Sequence, residues 1–157
     1  MDRAEQELYG ASVHVNYEVE MLKAMTSFLC EFPERTAEGI WRRNAYLESF
    51  VLHVRNLIDF LYPPTNAKPD DILAEHHVRD VAGWKRRCPG KTKLLQDAEA
   101  RVNKLAAHLT YARAQLPKDW EFSKIQSDLW QPLQCFFTEL PFERQRWFPT
   151  LSHESGR

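Results

Sequence analysis

The chain has 157 residues, enough for a single core without a metal or disulfide as staple, and 43% of them are hydrophobic. A net charge of −1 excludes a global field that gathers polyanions, and only five glycines argue against a strand-and-turn architecture. No apolar run nears the ~18 residues of a membrane span, and the opening MDRAEQELYG lacks a leader's apolar core, so a cytoplasmic protein is expected. Cys30, Cys88 and Cys135 lie far apart in the sequence with no C-x-x-C spacing, and their odd number fits a reducing compartment.

Residues 1–10 are polar and end at Gly10, which predicts a loosely held segment or a short helix. From about Ser12 to Phe32, Val15, Val19, Leu22, Met25 and Leu29 recur every three or four residues, the spacing of one helix face, and Pro33 stops the pattern. A second helix is predicted from about Ile40 to Tyr62. Its Leu47, Phe50, Val51, Val54, Ile58 and Leu61 share roughly 100° of arc, and Pro63-Pro64 ends it. Glu48, Arg55 and Asp59 fall within about 40° of one another on this helix. They form either a surface ion-pair row worth a few tenths of a kcal/mol per pair, or carboxylates that hold an arginine beside a site.

Residues 63–92 change character. Asp70 or Asp71 is expected to cap a short helix reaching about Val81, with connection beyond it. Lys85, Arg86, Arg87, Lys91 and Lys93 then cluster without an acidic neighbour before Thr92 caps a third helix. Cations at a helix start oppose its macrodipole, so the cluster reads either as a solvated loop or as a place where phosphate or RNA docks.

The third helix is predicted over Leu94–Leu116. Leu94, Ala98, Val102, Leu105, Leu109 and Ala112 form its apolar stripe. Arg101 and His108 sit together about 20–40° off one edge of that stripe, with Lys104 and Tyr111 just beyond them and Asn103 pointing away. A fourth helix, capped by Asp119, carries Phe122, Ile125, Leu129, Leu133 and Phe136. Pro132 should kink it and Pro141 should end it. In the tail, 142–157, Trp147 and Phe148 either dock onto the bundle or meet a second copy, and 150–157 is expected to be loosely held. The expectation is one all-α domain over 1–157, a bundle of four long helices with a short extra helix in the 70–82 connection.

Several chemistries are set aside. The chain contains no Gly-rich phosphate loop, no G-x-S-x-G and no H-E-x-x-H, and Cys88 among cations is a weak signal for a reactive thiol. His14, His53 and His108 fall on three helices, but no i,i+3 or i,i+4 ligand pair supports them; His53 is assigned to the polar side of its helix, and His76 and His77 diverge. No metal and no cofactor is expected. Arg101 and His108 remain, on one helix face about 10 Å apart along the axis. Metal-free RNA cleavage needs a group that moves protons near pH 7 and a fixed cation beside the developing phosphorane charge. One such pair is a sparse site, and two copies joined across a symmetric dimer make a fuller one.

The segment NAYLESFVLHVRNLIDFLY, then DDILAEHHV and RVNKLAAHLTYAR, resembles the HEPN superfamily over roughly residues 40–115, through its R-x6-H pattern at Arg101 and His108. The resemblance implies a helical bundle working as a homodimer, with Arg101 and His108 as catalytic residues of a metal-independent endoribonuclease. It also implies a setting in toxin–antitoxin or phage-defence systems, with an antitoxin or other protein as partner. Active members often carry a polar residue directly after the arginine, where this chain has Val102. Other members bind nucleotides or proteins without cutting, which makes a silent binding module the alternative. In that case Arg101 and His108 are structural, satisfied by Glu48 or Asp59.

Overall fold

A computed structural model describes residues 3–31, 36–105 and 120–152, with side chains for all of these except 103–105. Every regular element among them is helical: α1 (Glu5–Glu31), α2 (Ala37–Leu61), α3 (Val81–Arg87), α4 (Lys93–Leu105), α5 (Phe122–Glu139), α6 (Phe142–Gln145) and α7 (Pro149–Ser152), plus a 3-10 turn at Ala74–His76. The protein is all-α, as its periodicity predicts. Helix α1 packs against α2 and α5, and α2, α4 and α5 touch one another, so one core runs between the long helices.

Helix α1 starts at Glu5 and passes through Gly10 without a break, so residues 5–10 belong to this long helix. Leu8 is buried, Glu5 pairs with Arg144 and Tyr9 meets Trp147 edge-on at 5.8 Å, which anchors this turn to the tail. Helix α2 begins at the Thr36 cap, whose side chain accepts from the Gly39 amide at 3.1 Å, and it gives way at Tyr62 to Pro63. Phe50, Val51, Val54, Leu57, Ile58 and Leu61 fill its buried face, close to the predicted stripe.

The connection differs from expectation. Asp70 and Asp71 start no helix; Asp71 instead accepts from the Lys68 amide at 2.7 Å to close a turn. The helix here is α3, capped by Asp80, whose carboxylate accepts from the Gly83 amide at 2.8 Å. Buried Trp84 is what holds so short a helix in place. Helix α4 is described to Leu105, and its expected continuation to Leu116 lies outside the described residues, as does Asp119. Its buried positions are Leu95, Ala98 and Val102, with Leu94 at the core's margin. Helix α5 carries buried Pro132 in its interior without ending there; the proline has no amide to donate to the Asp128 carbonyl.

The tail docks. Phe148 is 0% exposed and Leu151 is buried, and Asn16 of α1 donates to the Trp147 carbonyl at 2.6 Å and accepts from Thr150. Residues 149–152 therefore form the ordered turn α7 rather than a loose end.

Cys88, at the end of α3, and Cys135 of α5 form a disulfide with Cα atoms 5.6 Å apart, while Cys30 is free and exposed. Three isolated thiols were the expectation. Forty-seven residues separate the bonded pair, and only the packing of α3 on α5 brings them together. Among the described residues no helix is long and apolar enough to cross a membrane.

Candidate functional site

Thr92 starts α4 as the sequence predicts: its hydroxyl accepts from the Leu95 amide at 3.2 Å and donates to Asp128 of α5 at 2.6 Å. Nine residues further on, half-buried Arg101 lies beside fully buried Val102. Its guanidinium sits over the Trp120 ring, 3.9 Å from the centroid. Trp120 is only 8% exposed and meets Phe50 of α2 edge-on at 6.3 Å, so the face under the cation is anchored in the core. A cation over an indole gains about 0.5–2 kcal/mol, and flat stacking also fixes the plane of the guanidinium. His108 and Tyr111 lie outside the described residues, as do the side chains of Asn103 and Lys104.

On α2, Arg55 Nε lies 3.6 Å from Asp59 Oδ2, while Glu48 is exposed two turns earlier. Burial pushes the Asp59 carboxyl above its ordinary range; Arg55 pulls it down, Glu99 pushes it up and Lys91 pulls it down again. Lys91 and Glu99 are themselves paired at 2.8 Å. Asp59 thus belongs to a mixed-charge cluster bridging α2 and α4, and Arg55 is its direct partner.

Most of the basic run is engaged with carboxylates. Lys85 pairs with Glu75 at 2.5 Å, Lys91 with Glu99, Lys93 with Asp97 at 2.6 Å, and Arg87 grips Glu139 through two bonds of 2.5 Å. Those bonds hold the Glu139 carboxyl below its usual range. Arg86 is exposed. Pairs of this kind on the surface are worth about 0–1 kcal/mol, so a phosphate can displace them at small cost.

The histidines fall where the sequence gave no signal. His53 faces inward rather than to the polar side, being 4% exposed, with Nδ1 2.6 Å from Glu18 of α1 and Tyr17 edge-on to its ring. The reason is that α1 covers a flank of α2 that the apolar stripe alone leaves open. His77 is 0% exposed, edge-on to Phe60, Phe136 and Phe148, and neither ring nitrogen has a hydrogen-bond partner. Burial first, then Arg144 and His76, lower its pKa to about 4, so it is neutral at pH 7.

A cavity of about 330 Å³ opens between α1, α2 and the 64–73 connection, lined by His14, Glu18, Asn56, Asp59, Asp70 and Asp71 among others. A neighbour of about 270 Å³ shares His14, Asp70 and Ile72 with it and reaches Glu7, His76 and His77. Among the described residues no three His, Cys, Asp or Glu side chains are arranged to hold a metal ion. No protein-family model, curated protein or solved structure matches the chain.

Proposed function

We propose that the chain is a HEPN-like bundle of four long helices that cleaves RNA without a metal, working in the cytoplasm as a homodimer. The observation that carries this reading is the stacking of Arg101 on Trp120. A cation held flat and half-buried is pre-organised to meet charge that develops in a transition state. In the proposed step His108 of one copy takes the proton of the 2′-hydroxyl, and the 2′-oxygen bonds to phosphorus. The bond from phosphorus to the 5′-oxygen breaks, and the leaving oxygen takes a proton from the second copy's histidine. The products are a 2′,3′-cyclic phosphate and a 5′-hydroxyl, with Arg101 beside the phosphorane oxygens throughout. Lys104, Tyr111 and Asn103 are assigned to holding the phosphate or the imidazole, and the 85–93 cations, Arg86 foremost, to gripping the strand.

Reducing systems of the cytoplasm keep most protein thiols unpaired, so the Cys88–Cys135 bond marks the oxidised form of the chain. A toxin or phage-defence role, with an antitoxin partner, belongs to the same reading. The test is incubation of RNA with the pure protein in EDTA beside its His108→Ala variant. Cleavage by the parent and none by the variant is expected; absence of cleavage, or equal cleavage by both, rejects the reading. A second reading, a module that binds without cutting, is favoured by the ion pairs that occupy Lys85, Arg87, Lys91 and Lys93.

A further inference from the structure

Cys88 stands in the middle of the basic run and is bonded to Cys135 of α5. It closes α3 with an extended backbone, so it is the joint between Lys85, Arg86 and Arg87 on the helix and Lys91 and Lys93 beyond it. Both cysteines are half-buried. Cys88 also lines a surface cavity of about 440 Å³, together with Tyr62, Pro63, Trp84, Lys85 and Lys91. The described lining holds two ammonium groups and no carboxylate, although Glu75 and Glu99 reach the lysines from outside it. A small thiol that carries carboxylates, such as glutathione, matches the sign of that wall.

A structural disulfide resists the glutathione pool, whereas an accessible one exchanges with it. The surroundings of this bond suit exchange without unfolding. Trp84 is buried, Arg87 grips Glu139 through two bonds, and the Tyr62 hydroxyl donates to the Pro89 carbonyl at 2.9 Å. These contacts keep the two sulfurs near each other when the bond is open. A Cα separation of 5.6 Å then lets it close again without backbone movement.

We infer that Cys88 is an exchange site for a low-molecular-weight thiol and its disulfide, and that its bond to Cys135 is a reversible clamp on the basic run. In oxidation the Cys88 thiolate attacks one sulfur of the small disulfide, whose own S–S bond breaks and releases one small thiolate. The Cys135 thiolate then attacks the Cys88 sulfur of the mixed disulfide, which forms the Cys88–Cys135 bond and expels the second small thiolate. The two protons lost by the cysteines go to the two small thiols, and the two electrons have reduced the small disulfide. Closed, the bond ties the joint of the run to α5 and keeps Lys85 and Arg87 at Glu75 and Glu139. Opened, it leaves that joint to weaker surface bonds, which a phosphate displaces more easily.

The test equilibrates the full-length Cys30→Ser chain, which lacks the exposed third thiol, with mixtures of reduced and oxidised glutathione in native buffer, read by intact mass. The bond is expected to open and re-form as the mixture changes. In the same background Cys135→Ser should carry one glutathione, on Cys88, and Cys88→Ser should carry none. Trypsin should cut at Lys85, Arg86, Arg87 and Lys91 about tenfold faster in the reduced form, with cutting at Lys23 of α1 unchanged. A bond that no glutathione mixture opens in the folded protein is a structural staple and overturns the proposal. An adduct-free Cys135→Ser chain overturns it too, as does equal acceleration at Lys23, which marks loss of the whole fold. The consequence for RNA rests on the reading above: the reduced form should bind a 2′-O-methyl RNA about tenfold more tightly than the oxidised form. Equal binding by both forms overturns the clamp's role on the strand. Binding by neither form rejects the RNA reading, while the glutathione and trypsin results still decide the clamp.

Discussion

His77 shows what one side chain does when the fold denies its charged form a place. Its pKa falls from 6.5 to about 4, so the unfolded chain binds a proton that the folded chain refuses. Stability therefore rises with pH across that window and is lost as pH drops from about 6.5 toward 4, by about 3 kcal/mol at most. The expected outcome is a steep acid decline in urea midpoints between those pH values, flattened in His77→Phe. That variant also removes two orphaned polar atoms among Phe60, Phe136 and Phe148, and should be as stable as the parent at pH 7 or more so. An unchanged acid slope would show that other groups carry the transition. Arg101 makes a second case. Lysine keeps its charge but not the flat stack on Trp120, so Arg101→Lys should lose about a hundredfold in RNA cleavage rate while remaining folded. Neither environment is visible in the sequence. The placement of Arg101 beside a buried stripe was legible from periodicity, since Val102 is its neighbour, but the indole beneath it comes from a residue 19 positions on.

At the scale of elements, periodic spacing located α1, α2 and α5 well, because their buried residues repeat every three or four positions and prolines or caps mark several of their ends. It failed at α3, whose seven residues are too few to show a period. What makes α3 is the Asp80 cap and Trp84, and Gly83 fits because a Cβ there meets the Asp80 carboxylate and Arg87. Gly10 is the opposite case, a glycine inside a long helix with nothing near the position of a Cβ. Gly10→Ala should stabilise the protein by about 0.5–1 kcal/mol and Gly83→Ala should destabilise it, both read from thermal melts. The disulfide joins α3 to α5 across a 47-residue separation, which by loop-closure entropy amounts to about 4 kcal/mol, less any native strain. Thiol titration of the unfolded chain should find one reactive thiol, Cys30, in oxidised protein and three after reduction, with the melting temperature falling on reduction. Three thiols without reductant would instead describe the chain in the state a cytoplasm maintains.

For the whole molecule, the helical class followed from composition, since few glycines and four apolar periods leave little room for a sheet. How the helices pair was not legible, because each stripe names a buried face without naming its neighbour. His53 illustrates this: its inward position depends on α1 lying over that flank of α2, with Glu18 there to receive it. The same gap hid the two adjoining cavities, whose residues come from three separate stretches of chain. The central claim concerns chemistry at Arg101 and His108, and the ends of the cut RNA report on it most directly. With an RNA of defined sequence in EDTA, the account predicts 2′,3′-cyclic phosphate and 5′-hydroxyl termini, no cutting of the 2′-O-methyl analogue, and none by His108→Ala. Fragments ending in 5′-phosphate, or cleavage of the 2′-O-methyl strand, would contradict it.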